Sequence, residues 1–379
     1  MNYSKFIYLM QVNNILSKKL NLDLPIWTIL CPIVAVLAIF TISSDSIFVS
    51  IALGAALIAS VLSAVHHAEV VAHKVGEPFG TIILALAITV IEVSLIVALM
   101  ISETGNTPSV LARDTVFAAI MIILTGIIGV CLWVGSVRYR EQNFIKQGVS
   151  TALITLIAIS VLTLILPNFT TSEVVGVYSE SQLIFVAIIS LILYGGFISL
   201  QTIRHRDYFL PQQNKDGTAS ELHVAPPNGL TTTASLVLLV IALVAVVLLS
   251  KKLSPTIEDM VFNLGAPKSL VGIIIATVIL LPEGLAAFKA ARQDRLQTSL
   301  NLALGSALAS IGLTIPAVAI VCYFTGMQVT LGIDAKSVLL LVLSLFTVFL
   351  SLISGRTNIQ QGIVLLVLFA TYLFTTIVP

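Results

Sequence analysis

The chain has 379 residues, of which 58% are hydrophobic and only 10% are charged, and its mean hydropathy is +1.07. A soluble domain carries about 25% charged residues, so this composition excludes a soluble protein and indicates one that crosses a membrane many times. The net charge of +1 provides no field that would attract nucleic acid, so we expect no such partner. Cys31, Cys131 and Cys322 are an odd, scattered set, which favours apolar core residues over disulfides or a metal site.

The chain begins with a basic, amphipathic segment over residues 1–20. This segment lacks the small-residue cleavage site of a signal peptide and is interpreted as a cytoplasmic lead-in. Beyond it, eleven segments approach the roughly 20 apolar residues that a membrane-spanning helix needs. They predict an all-α polytopic membrane protein with about 11 transmembrane helices in a lipid bilayer. The predicted spans lie near 24–42, 46–66, 79–101, 115–136, 149–167, 183–200, 233–250, 269–288, 299–323, 336–353 and 359–378.

Lysines and arginines in the loops predict the orientation, because short cytoplasmic loops carry an excess of both. With the N-terminus inside, fourteen of the 19 fall on the inner side of the membrane and five on the outer side. Lys251 and Lys252 are two of those five and act against this orientation locally. The distribution favours a cytoplasmic N-terminus and an external C-terminus.

The longest polar stretch, RHRDYFLPQQNKDGTASELHVAPPNG at 204–229, is rich in Pro, Gly and charge and marks a linker. Five predicted spans lie on each side of it, and an odd number of helices per half forces the halves into opposite orientations. This is the inverted-repeat plan of many secondary transporters. The predicted organisation is a lead-in with the first helix, a five-helix repeat, a cytoplasmic linker and a second, inverted five-helix repeat, at 1–43, 44–203, 204–230 and 231–379.

One carboxylate lies deep in each half, in an apolar run that follows a Gly-x-Pro motif. The first is Glu92, which follows Gly76–Pro78, and the second is Glu283, which follows Gly265–Pro267. A charge at membrane depth costs about 2.5–3.5 kcal/mol and is rarely kept without a use. Inverted-repeat transporters place their ion site near the midplane where the repeats meet. The two carboxylates are therefore predicted to face each other, although a Glu that is protonated or polar-paired to fix helix packing is the simpler alternative.

The chemistry of such a pair predicts exchange of ions. Two carboxylates in a partly dry cavity repel each other and both resist ionisation, so they would hold protons until a cation displaces them. Pro282, directly before Glu283, removes one backbone hydrogen bond, and a freed carbonyl beside a carboxylate suits a hard cation such as Ca²⁺. A site that takes either a cation or protons, and must be filled before it reorients, is that of an antiporter. Glu92 and Glu283 are the predicted ion, metal and proton ligands, with no resident cofactor.

The helix that follows the second of these carboxylates carries weaker signals. Asn301 and Ser306 are candidate lining residues there, and Ser306 and Ser310 share one helical face because they lie four residues apart. Small residues at these positions would also serve close helix packing. The corresponding helix of the first half offers only Thr125 and Gly126, so the predicted site is asymmetric.

The segment HHAEVVAH at 66–73 lies at the inner end of the second predicted span. Glu69 and His73 lie four residues apart on one helical face, but a zinc protease requires the pattern His-Glu-x-x-His, which is absent. Because histidine titrates at about pH 6.5, Glu69 and His73 are candidates for a cytoplasmic access route for protons or cations. A solvated helix end is the simpler interpretation.

Three runs of the sequence, HKVGEPFGTIILALAITVIEV, RHRDYF and LLPEGLAA…RLQTSLNLALGSALASIGLTIPA, resemble the Ca²⁺:cation antiporter superfamily. The resemblance is to its cation/proton exchanger branch, and within that to bacterial ChaA-type calcium (sodium, potassium)/proton antiporters. It covers nearly the whole chain after the first span. It implies an ion exchanger of 11 helices in the bacterial cytoplasmic (inner) membrane, with one acidic residue from each repeat at a central site, here Glu92 and Glu283.

The family pattern also has Gly-Asn a few residues before each Glu. This chain has Ile88 and Thr89 in the first place and Ile279 and Leu280 in the second, while the Gln usual after the second-repeat Gly-Ser is replaced by Ala309. Among these residues only Thr89 has a side-chain oxygen, so Thr89 is a candidate lining residue of the site. Fewer side-chain oxygens then surround the carboxylates, which makes exchange of Na⁺ or K⁺ more credible, and the sequence leaves open which cation dominates.

The sequence therefore predicts a secondary cation/proton antiporter rather than an enzyme. It would export Ca²⁺, Na⁺ or K⁺ in exchange for protons, as a single chain or as a homo-oligomer. A cation channel or uniporter with the paired Glu as its selectivity constriction is the alternative. A membrane-embedded enzyme is less favoured, because the spans offer no nucleophile or metal set at suitable spacing.

Overall fold

The computed structural model describes residues 24–41, 47–76, 79–102, 108–210, 227–263, 267 and 269–378. Four sequence features lie wholly or partly outside the described residues: the basic lead-in over 1–20, Pro78 and Gly265 of the two Gly-x-Pro motifs, and linker residues 211–226. In the described part the chain is helical almost throughout, and the predicted all-α polytopic fold class is confirmed.

The helices of the described residues are numbered here in chain order. Short π-helical segments at Ile122–Ile127, Val161–Ile165 and Leu200–Arg204 extend or join them, and two short strands, β1 (Gln142–Asn143) and β2 (Arg356–Thr357), pair antiparallel. The α-helices are α1 (Ile26–Thr41), α2 (Ile47–Val75), α3 (Phe79–Ser102), α4 (Leu111–Met121), α5 (Ile128–Tyr139), α6 (Lys146–Ser160), α7 (Glu180–Ser199), α8 (Gly229–Asn263), α9 (Ser269–Arg292), α10 (Leu296–Thr325), α11 (Ala335–Leu352) and α12 (Ile359–Ile377).

Ten helical segments among the described residues are long and apolar enough to cross a membrane, and they correspond to the second to eleventh predicted spans. The apolar stretch of α1, Ile26–Ile39, is shorter. The helix α2 continues beyond its predicted end at residue 66 because HHAEVVAHK contains no helix breaker. It stops at Gly76, whose φ of 77° is a left-handed conformation that glycine adopts without a steric penalty.

The helices pack into two compact units, and each predicted half of the chain contributes to both. The first unit contains residues up to Ile91 together with His223–Thr256. In this unit α1 packs against α2, and Ala64 and Ala68 of α2 are fully buried. The division into repeats at 44–203 and 231–379 stays a prediction.

The second unit contains Glu92–Leu222 and Ile257–Pro379. The helix α10 lies at its centre, in contact with α4, α5, α6, α7 and α9, and its buried face runs along most of its length. Close approach of α10 to α7 requires a glycine, because a Cβ at Gly312 would lie 2.9 Å from the Cβ of Tyr194. Ser299, Ser310 and Thr314 of α10 are buried inside this unit.

Contacts along the helices of this unit give their relative directions. Gly272 of α9 lies against Asp114 at the start of α4, while Gly284 lies against Ile127 further along, so α9 runs parallel to α4 and α5. Gly362 at the start of α12 lies against Trp133 near the end of α5, so α12 runs antiparallel to α5. Both directions match a chain in which each predicted span crosses the membrane once.

Hydrogen bonds join the loops at one end of this unit. β1 pairs with β2, Gln142 Nε2 donates to Asp294 Oδ1 (2.9 Å), and the Tyr139 hydroxyl donates to the carbonyl of Arg292 (3.1 Å). The basic residues predicted to be cytoplasmic in these loops therefore share one end, namely Arg138, Arg140, Lys146, Arg292, Arg295 and Arg356. This is the clustering that the positive-inside rule describes.

Candidate ion-binding site

Glu92 is buried in α3, with 4% of its surface exposed. It lies 13 residues beyond Phe79, the first residue of the helix, which at about 1.5 Å per residue is well inside the span. The hydroxyl of Ser310 on α10 donates a hydrogen bond of 2.6 Å to Glu92 Oε1. A carboxyl group that accepts one short hydrogen bond still has its second oxygen available for a proton or a cation.

The polar face of α10 continues on both sides of this contact. Ser306, Ser310 and Thr314 follow at intervals of four residues, so their side chains lie above one another on one face of the helix. Thr314 is buried and its hydroxyl also lies close to Glu92, whereas Ser306 is half-buried. The sequence had singled out Ser306 and the face that it shares with Ser310. It missed Thr314, which the same four-residue spacing could have identified.

Glu283 lies 14 residues beyond Ser269, the first residue of α9, so its depth in the helix is nearly that of Glu92 in α3. Its side chain is half-buried. Pro282 lies inside the helix and has no N–H, so the carbonyl of Val278 loses its usual helical donor. A carbonyl that lacks its helical donor, five residues before a carboxylate, is an oxygen ligand suited to a hard cation.

A π-helical segment lies beside Glu283. A Cβ on the adjacent residue, Gly284, would lie 3.3 Å from Ile127 Cδ1, and Ile127 ends the π-helical segment Ile122–Ile127. This segment contains Thr125 and Gly126, which are both buried, and the Thr125 hydroxyl donates to the carbonyl of Met121. Single-turn π-bulges occur frequently at functional sites. The corresponding helix of the second half, α10, is a continuous α-helix, so the two halves differ here in their backbone as well as in their side chains.

Glu92 thus contacts α10, Glu283 lies beside the π segment between α4 and α5, and α10 packs against both α9 and this segment. No cluster of three or more His, Cys, Asp or Glu with metal-binding geometry occurs among the described residues. A cation bound here would therefore depend on carboxylates together with hydroxyl and carbonyl oxygens. That Glu92 and Glu283 bind one ion together stays a prediction.

Asn301 has a structural environment of its own. Its Nδ2 donates to the carbonyl of Phe209 (2.6 Å), and its Oδ1 accepts from Gln297 Nε2 (2.9 Å). It precedes Ser310 by nine residues, which is about 13 Å along the helix axis. These hydrogen bonds fasten the chain after α7 to α10, and the predicted role of Asn301 at the ion site remains untested.

The remaining predicted residues lie on α2 and α3. Thr89 is buried three residues before Glu92, and its hydroxyl donates to the carbonyl of Ala85 (2.9 Å). Glu69 and His73 are exposed on the last turns of α2. Their exposure fits an access route and a solvated helix end equally well.

A bundle of long apolar helices with carboxylates at membrane depth defines a multi-pass membrane protein, and comparison with known proteins gives its class. The family model of the sodium/calcium exchanger proteins matches residues 45–203 and 234–378. These two segments nearly coincide with the two predicted repeats.

Relatives match over almost the whole chain. The sodium-potassium/proton antiporter ChaA of Escherichia coli is 33% identical over 92% of this chain and 95% of its own length. A protein of Sinorhizobium fredii, provisionally named the ionic transporter y4hA, is 41% identical over 94% of this chain and 97% of its own length. The chain therefore belongs to the sodium/calcium exchanger protein family. It is a transporter of the Ca²⁺:cation antiporter superfamily, similar to the ChaA-type members, and is not an enzyme.

Solved structures share the fold. The crystal structure of the selenium-substituted Ca²⁺/H⁺ antiporter protein YfkE matches with a TM-score of 0.69 and 14% identity, over 93% of this chain and 99% of that one. The crystal structure of the H⁺/Ca²⁺ exchanger CAX matches with a TM-score of 0.67 and 13% identity, over 98% of this chain and 89% of that one. At such low identity these matches support the arrangement of helices and leave the choice of ion open.

Proposed function

We propose that this protein is a secondary cation/proton antiporter in which Glu92 and Glu283 bind cations and protons alternately. The observation that carries the proposal is the hydrogen bond of 2.6 Å from Ser310 to the buried Glu92. A buried carboxyl group at this depth is costly and is rarely kept without a use. The relative in E. coli, named as a sodium-potassium/proton antiporter and matched over nearly the whole chain, supports the same activity here.

The exchange follows from competition for the same oxygens. When both carboxyl groups are protonated the site is neutral, and when a cation binds, each carboxyl group involved must give up its proton. The Ser310 hydroxyl donates to Glu92 Oε1, and such a hydrogen bond to a charged acceptor favours the ionised form that a cation needs. Ser310 therefore shifts the competition towards the cation.

Na⁺ or K⁺ fits this site better than Ca²⁺. Ca²⁺ takes six to eight oxygen ligands and is favoured by several carboxylates, whereas Ile88, Leu280 and Ala309 offer no side-chain oxygen. Monovalent cations carry less charge, so fewer carboxylates are needed to neutralise them. We propose export of Na⁺ or K⁺ in exchange for protons, with Ca²⁺ as the poorer substrate.

The basic loops support the proposed orientation. In the second unit Arg138, Arg140, Arg292 and Arg356 lie at one end of the helices, and such residues are retained on the cytoplasmic side. We propose a bacterial cytoplasmic (inner) membrane location with this end inside, the N-terminus inside and the C-terminus outside.

Everted membrane vesicles with an imposed proton gradient test the proposal. Addition of Na⁺ or K⁺ should release protons from wild-type vesicles, and Glu92→Gln and Glu283→Gln should each abolish this release. Glu180→Gln is the matched control, because Glu180 is exposed in the first turn of α7 and should leave release unchanged. Cation-driven proton release of wild-type size in both site variants would refute the proposal.

A channel or uniporter with a Glu constriction is separated from an antiporter by coupling. An antiporter accumulates Na⁺ or K⁺ in everted vesicles against its own gradient when only protons supply energy, whereas a channel dissipates both gradients. Uphill accumulation by wild-type protein is the expected result.

A further inference from the structure

The short helix α1 has a break in its own hydrogen bonding. Residue 32 is a proline inside this helix, and in a regular α-helix the N–H of residue 32 would donate to the carbonyl of Thr28, four residues earlier. Proline has no N–H, so this carbonyl is left without its helical donor in the first turns of α1.

Two side chains of α2 donate to this carbonyl instead. The Ser63 hydroxyl donates to Thr28 O at 2.6 Å, and His67 Nε2 lies 3.1 Å from the same oxygen. Thr28, Ser63 and His67 are all fully buried. A buried carbonyl without a partner is unfavourable, and the two side chains of α2 satisfy the carbonyl that Pro32 leaves without a donor. This contact of Ser63 and His67 with Thr28 O is here called the Thr28 clamp.

The clamp determines the chemical form of His67. A carbonyl oxygen can only accept, so Nε2 must carry the proton and Nδ1 carries the lone pair. The ring of His66 faces His67, with the two ring centroids 5.7 Å apart. The ring of Trp27 on α1 lies beside His66 in turn, with ring centroids 6.2 Å apart. Nδ1 of His67 is buried and has no hydrogen-bond partner among the described residues, and a buried charge without a partner is costly, so the imidazole acts as a neutral donor.

A second contact holds the other end of α1. Lys252 Nζ on α8 donates to the carbonyl of Ile39 at 2.9 Å, and Ile39 lies in the last turn, where helical carbonyls lack internal donors. Lysine is favoured at such a C-terminus. This contact gives a structural reason for Lys252, a basic residue on the side of the membrane that the predicted orientation places outside. The helix α1 is thus tied to its own unit at both ends.

We propose that Ser63 and His67 are positioning residues that fasten α1 to α2, so that the two helices act as one body during cation/proton exchange. The turnover part of this proposal rests on the proposed function. The clamp lies on α1 and α2, whereas Glu92 and Ser310 lie on α3 and α10. Loosening the clamp should therefore slow turnover and leave the apparent KM for the cation unchanged.

Two variants of His67 separate a donor from a titratable imidazole. In His67→Gln the amide nitrogen takes the place of Nε2 and keeps the bond to Thr28, whereas in His67→Asn the shorter side chain cannot reach it. Pro32→Ala provides an independent test, because residue 32 then gains an N–H that competes with Ser63 and His67 for the same carbonyl. This variant improves helix propensity, so poor folding of α1 is not expected.

Cys31, next to Pro32, reports directly on the clamp. It is half-buried, while Cys131 and Cys322 are buried, so a Cys131→Ala/Cys322→Ala background leaves one thiol for N-ethylmaleimide labelling in membranes. Loss of one buried hydrogen bond changes an opening equilibrium by about tenfold. We expect labelling to be about tenfold faster in His67→Asn and Pro32→Ala, with turnover several-fold slower at unchanged KM, and His67→Gln to match the parent in both.

Other outcomes would overturn the proposal. Slow turnover in His67→Gln with labelling at the parental rate would show that exchange needs the imidazole itself. Unchanged labelling in His67→Asn would show that the clamp does not hold α1, and faster labelling with unchanged turnover would show that α1 takes no part in exchange. If the parent protein moves no cation, the proposed function is refuted, and with it the proposal that the clamp affects turnover. The rate of Cys31 labelling would still decide whether the clamp holds α1 against α2.

Discussion

Replacing Ser310 by alanine should shift the competition between cation and proton at Glu92 towards the proton. The Ser310 hydroxyl donates to Glu92 Oε1 at 2.6 Å, and both side chains are buried. A hydrogen bond to a charged group contributes about 1.5–3 kcal/mol. At about 1.4 kcal/mol per tenfold, its loss should raise the apparent KM for the cation by roughly 10- to 140-fold.

The same loss should move the pH dependence of transport. Without the donor the ionised carboxylate is less stable and holds its proton more firmly, so the cation displaces that proton only at higher pH. At about 1.36 kcal/mol per pH unit, the optimum should shift upward by roughly one to two units. Cation-driven proton release in everted vesicles, measured at several pH values and cation concentrations, gives both quantities.

Ser299→Ala is the matched control for this experiment. Ser299 is a buried serine on the same helix, about 16 Å along the axis from Ser310 by the rise per residue, and should change neither quantity. Ser310→Thr, which keeps a hydroxyl, should retain most of the affinity. An apparent KM and a pH optimum in Ser310→Ala equal to those of Ser299→Ala would refute the proposed role of this hydrogen bond.

Three further outcomes are expected. Gly312→Ala should lower the melting temperature in detergent, because the new Cβ would lie 2.9 Å from Tyr194 Cβ and such overpacking costs about 1–3 kcal/mol. Gly305→Ala on the same helix, where no described atom beyond the helix's own nearby backbone lies within 4 Å of the new Cβ, should be neutral or stabilising. Asn301→Ala should also lower the melting temperature but leave the cation KM unchanged, and a raised KM would place Asn301 at the site. Uphill transport driven by a proton gradient should be faster with Na⁺ or K⁺ than with Ca²⁺, and the reverse order would contradict the proposed selectivity.

The helices of this fold were largely predictable because the membrane imposes a strong constraint on sequence. Lipid offers no hydrogen bonds to the backbone, so every span must be a long apolar helix, and the ten spans from Phe48–Val75 to Ile359–Ile377 were located in this way. Their ends were less predictable. The helix α2 continues to Val75 through a polar segment that the hydropathy pattern alone would have excluded.

The candidate site was predictable in part, for a related physical reason. Glu92 and Glu283 stand out because each is a lone carboxylate in an apolar run. Their neighbours in space do not stand out, since Ser310 and Thr314 resemble the small residues that commonly serve helix packing. The π segment beside Glu283 has no sequence signature, because its widened turn is defined by backbone hydrogen bonds.

The sequence by itself determined that this chain is an all-α membrane protein of the exchanger family, with one deep carboxylate in each half. Composition and hydropathy carry that information because the bilayer acts on every residue of a span. Only the tertiary structure decided that Ser310 holds Glu92, that Asn301 fastens the chain after α7, and that His67 closes on a carbonyl freed by Pro32. These contacts join residues up to 218 positions apart, and they depend on which faces of the helices meet.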